Sequence, residues 1–375
     1  MHLTAANLAV VFLVIIVDSV SPLVSSIPIS LEWGPYPPQP SGTIPSEQIT
    51  IDPRQMCANL TVPVDYKRLN GHAIQISISR VQSNNIALRR GVILLNPGGP
   101  GRSGLNEPSR MLPIYPRQVL DTYDLIGFGP RGVQYSTPLN SSNRVLFMRI
   151  VWPIHVLVRY VTTANTARDM VRIRIALNET KISYFGTSYG TYLGTAYTSL
   201  YPQNSDRLVL DSNINPEGVG RKNVLSWAEA TEECFDDYAQ WAAKRNETYG
   251  FGPTPQQVRE TYLKLVEKLD QHSVNLTDYE ITGNTVRQIT RLFMESTHTF
   301  PAIAKIWQVT SNPVSSVQTN SSSLLPRTLN QDFLAVQDSV ICQDKAWPRN
   351  PNIYARDVRR NRVKYPITNG FAANI

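Results

Sequence analysis

Gly186-Thr187-Ser188-Tyr189-Gly190 constrains this chain more than any other stretch. It follows a short apolar run at 181–185 and opens a helical pattern over 188–201. A serine between two glycines at a strand-to-helix junction marks a turn so tight that flanking side chains would strike neighbouring backbone. Such a turn lifts the serine hydroxyl above the end of a strand. It also aims the first N–H groups of the helix at whatever sits there. A strand feeding straight into a helix belongs to a mostly parallel sheet with helices on its faces, so the fold class is α/β.

The rest of the pattern agrees. Residues 60–66 and 73–81 have the β-branched content and partial alternation of an antiparallel pair, turning at Asn70-Gly71. Runs at 91–95, 123–128, 181–185 and 207–210 are short and apolar, as buried parallel strands are. Helical patterns at 163–177 and 188–201 separate the later ones. Beyond 216 the strand runs stop, and helical stretches are expected at 223–245, 255–270 and 284–307. They read as a helical cap over the C-terminal edge of the sheet. A chain of 375 residues, 42% of them hydrophobic, can bury one such core and its insertion.

Residues Leu8–Val17 form an unbroken apolar run ended by Asp18, followed by small residues up to Ser26. Ten helical residues span about 15 Å, half of a bilayer core, so the run reads as a signal peptide over 1–26 and not as a span. Stable membrane insertion is not expected. Six N-x-[ST] sites, at Asn59, Asn140, Asn178, Asn246, Asn275 and Asn320, fit a secreted glycoprotein. The formal charge is +7, but the basic residues are scattered apart from a small cluster at Arg356, Arg359, Arg360 and Arg362. A nucleic-acid partner would need a concentrated stripe. The three cysteines, Cys57, Cys234 and Cys342, allow at most one internal disulfide and fit no zinc spacing. No cofactor motif is present. The loop Asn96-Pro97-Gly98-Gly99-Pro100-Gly101 is rich in glycine, yet lacks the Gly-Lys-Ser/Thr ending of a phosphate loop. Its backbone N–H groups are suited instead to an oxyanion.

Together these motifs resemble the tripeptidyl aminopeptidase-like and prolyl aminopeptidase-like serine exopeptidases of the α/β-hydrolase fold. The resemblance rests on 57–66, on the 94–104 loop, and on Tyr123-Asp124-Leu125-Ile126-Gly127-Phe128-Gly129-Pro130-Arg131-Gly132. It continues through 162–170, Ser188-Tyr189-Gly190-Thr191-Tyr192-Leu193-Gly194 and Leu208-Val209-Leu210-Asp211. The chain thus reads as a signal peptide (1–26), an extended N-terminal arm (27–56), a hydrolase core (57–215) and a cap (216–335), and Gln343–Pro348 resembles the start of the family's C-terminal hydrolase region (336–375). The resemblance implies release of N-terminal residues or tripeptides from a peptide substrate through an acyl-serine. Ser188 would be the nucleophile, with the N–H of Tyr189 and of Gly98 or Gly99 as oxyanion donors.

The departures matter as much. Gly129 stands where that family usually has Asp, and 140–160 does not resemble its segment. The family's triad Asp and His belong to a C-terminal region, and the chain ends at Ile375, so its last strands and an intact triad are not expected. Only His272 and His298 follow the nucleophile, and both fall in the cap. Asp211 ends a strand, but its counterpart in the family is not catalytic. Glu229, Glu232, Glu233, Asp236 and Asp237 would suit a substrate ammonium, although a solvated helix face is the simpler reading. Trp227, Phe235, Tyr238 and Trp241, at helical spacing, read as core. An inactive or peptide-binding relative and a small-ester hydrolase are the alternatives. Oligomeric state and residue preference are not legible.

Overall fold

A computed structural model describes residues 30–38, 49–139, 157–276, 279–311 and 331–370. The 1–26 leader, the 140–156 segment, the Ser/Asn-rich 313–327 stretch and the sequons at Asn140 and Asn320 lie outside these residues.

Seven strands make one mixed sheet: β1 (Gly34–Pro35), β2 (Met56–Pro63), β3 (Ala73–Val81), β4 (Gly91–Asn96), β5 (Tyr123–Phe128), β6 (Ile182–Thr187) and β7 (Ser205–Asp211). Their order is β1-β2-β3-β5-β4-β6-β7. The first three pair antiparallel and β3 runs antiparallel to β5, while β5, β4, β6 and β7 run parallel. The fold is that of an α/β hydrolase. From β4 the chain crosses to β5 on one side, and from β6 it crosses to β7 on the other. The C-terminal ends of β4 and β6 therefore border the crevice where such sheets place their ligands.

Burial follows the strand positions. All six residues of β5 are buried, and in β4 only Ile93 is partly exposed. One face packs Leu60, Ile76, Val92, Leu94 and Ile126 against α3 (Thr163–Ala176) and α4 (Tyr189–Leu200). The other face sets Leu95 and Leu125 against Met111 of α1 (Glu107–Met111), with Leu120 of α2 (Arg117–Thr122) alongside. Helix α3 starts where Thr162 accepts a hydrogen bond from Asn165 N–H, and it buries Ala167, Met170 and Ile173 at helical spacing.

The cap has its own core. Helices α5 (Arg221–Ala243), α6 (Asn246–Tyr249), α7 (Pro255–Gln271), α8 (Gly283–Phe293) and α9 (Phe300–Ser311) gather around Phe235, Tyr238, Tyr262 and Trp307. Two expectations are corrected here. The stretch 284–307 is two helices, because Pro301 cannot continue a helix and instead opens α9. The cap also contains a hairpin, β8 (Val274–Leu276) with β9 (Tyr279–Ile281), too short to show as alternation. After the cap, α10 (Gln331–Asp344) sends Val336 and Val340 into the sheet core. The residues beyond α11 (Pro351–Lys364) join the cap: Ile367 lies in its core, and its carbonyl accepts from Tyr262 Oη at 3.0 Å. All three cysteines are free thiols.

Candidate active site

Ser188 sits between β6 and α4 with φ 56° and ψ −122°. A non-glycine residue in that region costs on the order of 1–3 kcal/mol and persists only where its surroundings fix it. Three contacts do so. Ser188 N–H donates to Asp211 O at 2.9 Å, and its carbonyl accepts from Thr191 N–H at 2.9 Å and Thr191 Oγ1 at 2.6 Å. Thr191 Oγ1 in turn accepts from Ile214 N–H at 3.0 Å, tying the turn to the loop after β7.

The glycines are required by contact. A Cβ on Gly186 would lie 2.5 Å from Gly190 O, and one on Gly190 would lie 2.7 Å from Asn96 O. Beneath them the buried Tyr184 ring fills the space, and its Oη donates to Gly190 O at 2.8 Å. Burial pushes that phenol far above its ordinary pKa, so it stays a donor.

The loop after β4 meets this turn from the neighbouring strand. Gly98 has φ 85°, and a Cβ there would be 2.3 Å from Thr187 O and 3.0 Å from Tyr189 N. Its backbone thus lies directly against the start of α4. Gly98 N–H, however, already donates to the buried Asn96 Oδ1 at 3.0 Å. Gly99 follows in the same loop, also at a positive φ of 111°. Tyr189 N–H opens α4, where no intrahelical acceptor exists for it. A helix start beside a strained serine turn, with a glycine loop packed against it, is the backbone arrangement that acyl transfer uses on its electrophilic side.

The tyrosine is held from afar. Tyr189 is buried, its Oη shares a short hydrogen bond with Thr163 Oγ1, and that hydroxyl bonds to Asp344 Oδ2. Asp344 Oδ1 also accepts from Thr163 N–H at 2.9 Å, capping α3. Burial raises the Asp344 carboxyl above its ordinary pKa, partly offset by its bonds to Thr163. Sequence reasoning missed this chain of contacts. Asp344 lies 156 residues beyond Ser188, in a segment read only as the start of a further region.

The acid–base side is different. His272 is exposed at the end of α7, and its backbone N–H donates to Lys268 O. His298 is exposed in the turn before α9, its N–H donating to Ser296 Oγ. Neither is bonded to Ser188. Asp211 serves the turn through its backbone carbonyl, while its exposed side chain accepts only from Ser212 Oγ at 3.3 Å. In the acidic cluster, Glu232 and Asp236 are both taken by Arg259. Glu232 also accepts from Ile367 N–H at 3.1 Å, which makes it a strut between α5, α7 and the terminal segment. Glu233 and Asp237 are solvated. Phe235 and Tyr238 are cap core, with Trp241 at its margin, whereas Trp227 stacks under Arg291, 4.5 Å from its ring centre. At Gly129, Ser136 secures the turn: its Oγ donates to Gly129 O at 2.6 Å and accepts from Ser77 N–H at 3.0 Å. Among the described residues no group of His, Cys, Asp and Glu could hold a metal ion.

Comparison with known proteins agrees with the fold class. Residues 91–277 match the family model described as the alpha/beta hydrolase fold. The chain is 28% identical to the tripeptidyl aminopeptidase of Streptomyces lividans over 83% of its length and 64% of that protein's. It is 30% identical to a serine protease of Mycobacterium tuberculosis over 59% of this chain and 48% of the other. It thus spans less than two thirds of the length of these relatives. Among solved structures, a proline iminopeptidase from Mycobacterium smegmatis is similar at 12% identity, covering 68% of each chain with a TM-score of 0.31.

Proposed function

The chain belongs to the α/β-hydrolase family, and we propose that it carries the nucleophilic half of a serine exopeptidase site. Ser188 attacks the scissile carbonyl of a peptide, and the N–H groups of Tyr189 and Gly99 receive the oxyanion. The C–N bond breaks, the remainder of the peptide departs as an amine that takes up a proton, and water then hydrolyses the acyl-serine to release the N-terminal residue or tripeptide. The observation that carries this reading is the strained Ser188 backbone, held against the Gly98 loop at the head of α4. The tripeptidyl aminopeptidase relative supports the substrate class. Tyr189, Thr163 and Asp344 act as positioning residues for the donor at the head of α4.

The proton-transfer half has no occupant among the described residues, since a general base must reach the hydroxyl within about 3 Å. Turnover by this chain alone is therefore expected at the residual level that an oxyanion hole and binding provide, about 10³–10⁴-fold over water. Purified chain is assayed on aminoacyl and tripeptidyl chromogenic substrates, and on a simple ester, beside Ser188→Ala. Rates equal to that control agree with an incomplete triad. Rapid peptide turnover abolished by Ser188→Ala would overturn it and place the base at His272 or His298. Turnover of the ester alone would favour a small-ester hydrolase. Export with glycosylation is part of the same proposal, because Asn59 and Asn275 are exposed sequon sites. Expression in a secretory host followed by glycan removal tests it, and an intracellular product of unchanged mobility would refute it.

A further inference from the structure

Two strained serines meet beside the crevice. Besides Ser188, Ser212 holds a positive φ of 60°, at the point where β7 gives way to the next loop. A Cβ makes that region unfavourable, and glycine would occupy it freely. The two residues are linked. Asp211 O accepts from Ser188 N–H at 2.9 Å, and the peptide unit that carries this carbonyl also carries Ser212 N. Standard peptide dimensions then put Ser212 Cα within about 6 Å of Ser188 N. Two residues on, Ile214 N–H donates to Thr191 Oγ1 at 3.0 Å, in the first turn of α4. The loop is thus clamped to the serine turn at both ends, which is what holds a strained residue in place. The clamp uses backbone groups of Asp211 and Ile214 and nothing of the Ser212 side chain. Among the described residues the Ser212 hydroxyl has one bond, to Asp211 Oδ1 at 3.3 Å, longer than an ordinary O–H···O bond. A serine is held where the backbone favours glycine, and the fold makes little use of its hydroxyl.

We propose that Ser212 is a specificity residue whose hydroxyl accepts a hydrogen bond from the scissile N–H of a bound peptide; this rests on the peptidase reading of Ser188. The strand order β4-β6-β7 places the Gly98 loop on one side of Ser188 and Ser212 on the other. A carbonyl carbon set on Ser188 with its oxygen toward the Gly98 loop and the head of α4 turns its other substituents, the scissile nitrogen among them, toward β7. A serine hydroxyl can accept from that N–H. An ester puts a poor acceptor and no proton in the same place. A site built to bond a substrate N–H discriminates against the analogue that lacks it, so Ser212 separates amide from ester substrates of the same shape.

The 375-residue chain carrying Ser188→Ala, which cannot be acylated, is titrated with trialanine methylamide and with trialanine methyl ester. The methylamide should bind about fivefold tighter, the effect of one neutral hydrogen bond. Adding Ser212→Gly or Ser212→Ala should bring the two affinities to within about twofold of each other. Comparing two probes on one protein cancels any general loss of binding. Thermal melts separate the hydroxyl from the backbone. Ser212→Gly relieves the strained φ and should melt no lower than its parent, whereas Ser212→Ala keeps the Cβ and gains nothing. A preference for the methylamide that survives both substitutions would overturn the proposal and leave the peptidase reading standing. So would equal affinities in the Ser188→Ala parent, or a Ser212→Gly melt well below that of the parent. Binding of neither probe by the parent would overturn both.

Discussion

The two sides of the sheet are built to different standards. Around β2, β3 and β5 everything is closed. Arg131 and Asp169 are 0% and 1% exposed and meet as a bidentate pair, and Arg131 also donates to the carbonyls of Pro63, Val64 and Tyr160. Tyr66 Oη adds a bond to Asp169 Oδ1 at 2.7 Å. At β7, by contrast, Val209 is 57% exposed, and among the described residues only β6 pairs with the strand. The serine turn lies between the two, fixed by β4 on one side and by the Asp211 carbonyl on the other. The difference teaches where precision was needed. The oxyanion side of the site depends on backbone geometry that only a closed interior can hold.

Substitutions sharpen the contrast. Asp169→Asn should do the greatest damage. It leaves the buried Arg131 charge without its counter-ion, at about 3–5 kcal/mol of unfolding free energy in a denaturant titration. A cost below 1 kcal/mol would mean that the closed side is not the stabilising one. Gly98→Ala should follow, at roughly 3 kcal/mol, from a positive φ combined with a Cβ placed 2.3 Å from Thr187 O. A cost below about 1 kcal/mol would show that this loop does not shape the site.

Tyr184→Phe removes the bond to Gly190 O and should cost about 1 kcal/mol, with the turn otherwise retained. Asp344→Asn tests the link to α3 through pH. Burial holds this carboxyl above its unfolded value, so the folded state binds the proton more tightly. Its stability contribution is fully present below the ordinary carboxylate range and is lost as pH rises through the elevated value. Melting temperatures across that window should fall more steeply for the wild type than for Asp344→Asn, and parallel curves would contradict this. Smallest of all, Val209→Thr should change unfolding free energy by no more than about 0.5 kcal/mol, as exposed positions do. A larger loss would show that β7 is supported from its open side after all.

Much of this was legible in the chain. Strands at 73–81 and 123–128 stand where β-branched and apolar runs put them, because a buried strand has to be apolar on both faces. The serine turn was legible in part because Gly186 is compelled locally, by Gly190 and Tyr184 four and two positions away, whereas Gly190 is compelled by Asn96 from the neighbouring strand. The break at 294–299 was readable from Pro301 and was passed over in favour of a continuous apolar period. The cap hairpin has three residues per strand, too few for a period of two to register. The acidic cluster looked like a ligand site or a solvated face because sequence does not show that Arg259, on another helix, occupies two of its members.

By itself the sequence determined the α/β class, the place of the serine turn and the glycine loop that faces it. Those features are set by steric limits on the local backbone and by hydrophobic period, both of which are written within a few residues. Tertiary structure alone brought the Gly98 backbone against Thr187 O and Tyr189 N, across about ninety residues of chain. It alone joined Asp344 to Thr163 across 181 residues of chain, and Thr163 to Tyr189 across 26. Which distant side chains meet depends on how strands are ordered and helices packed, and no short stretch of sequence contains that information.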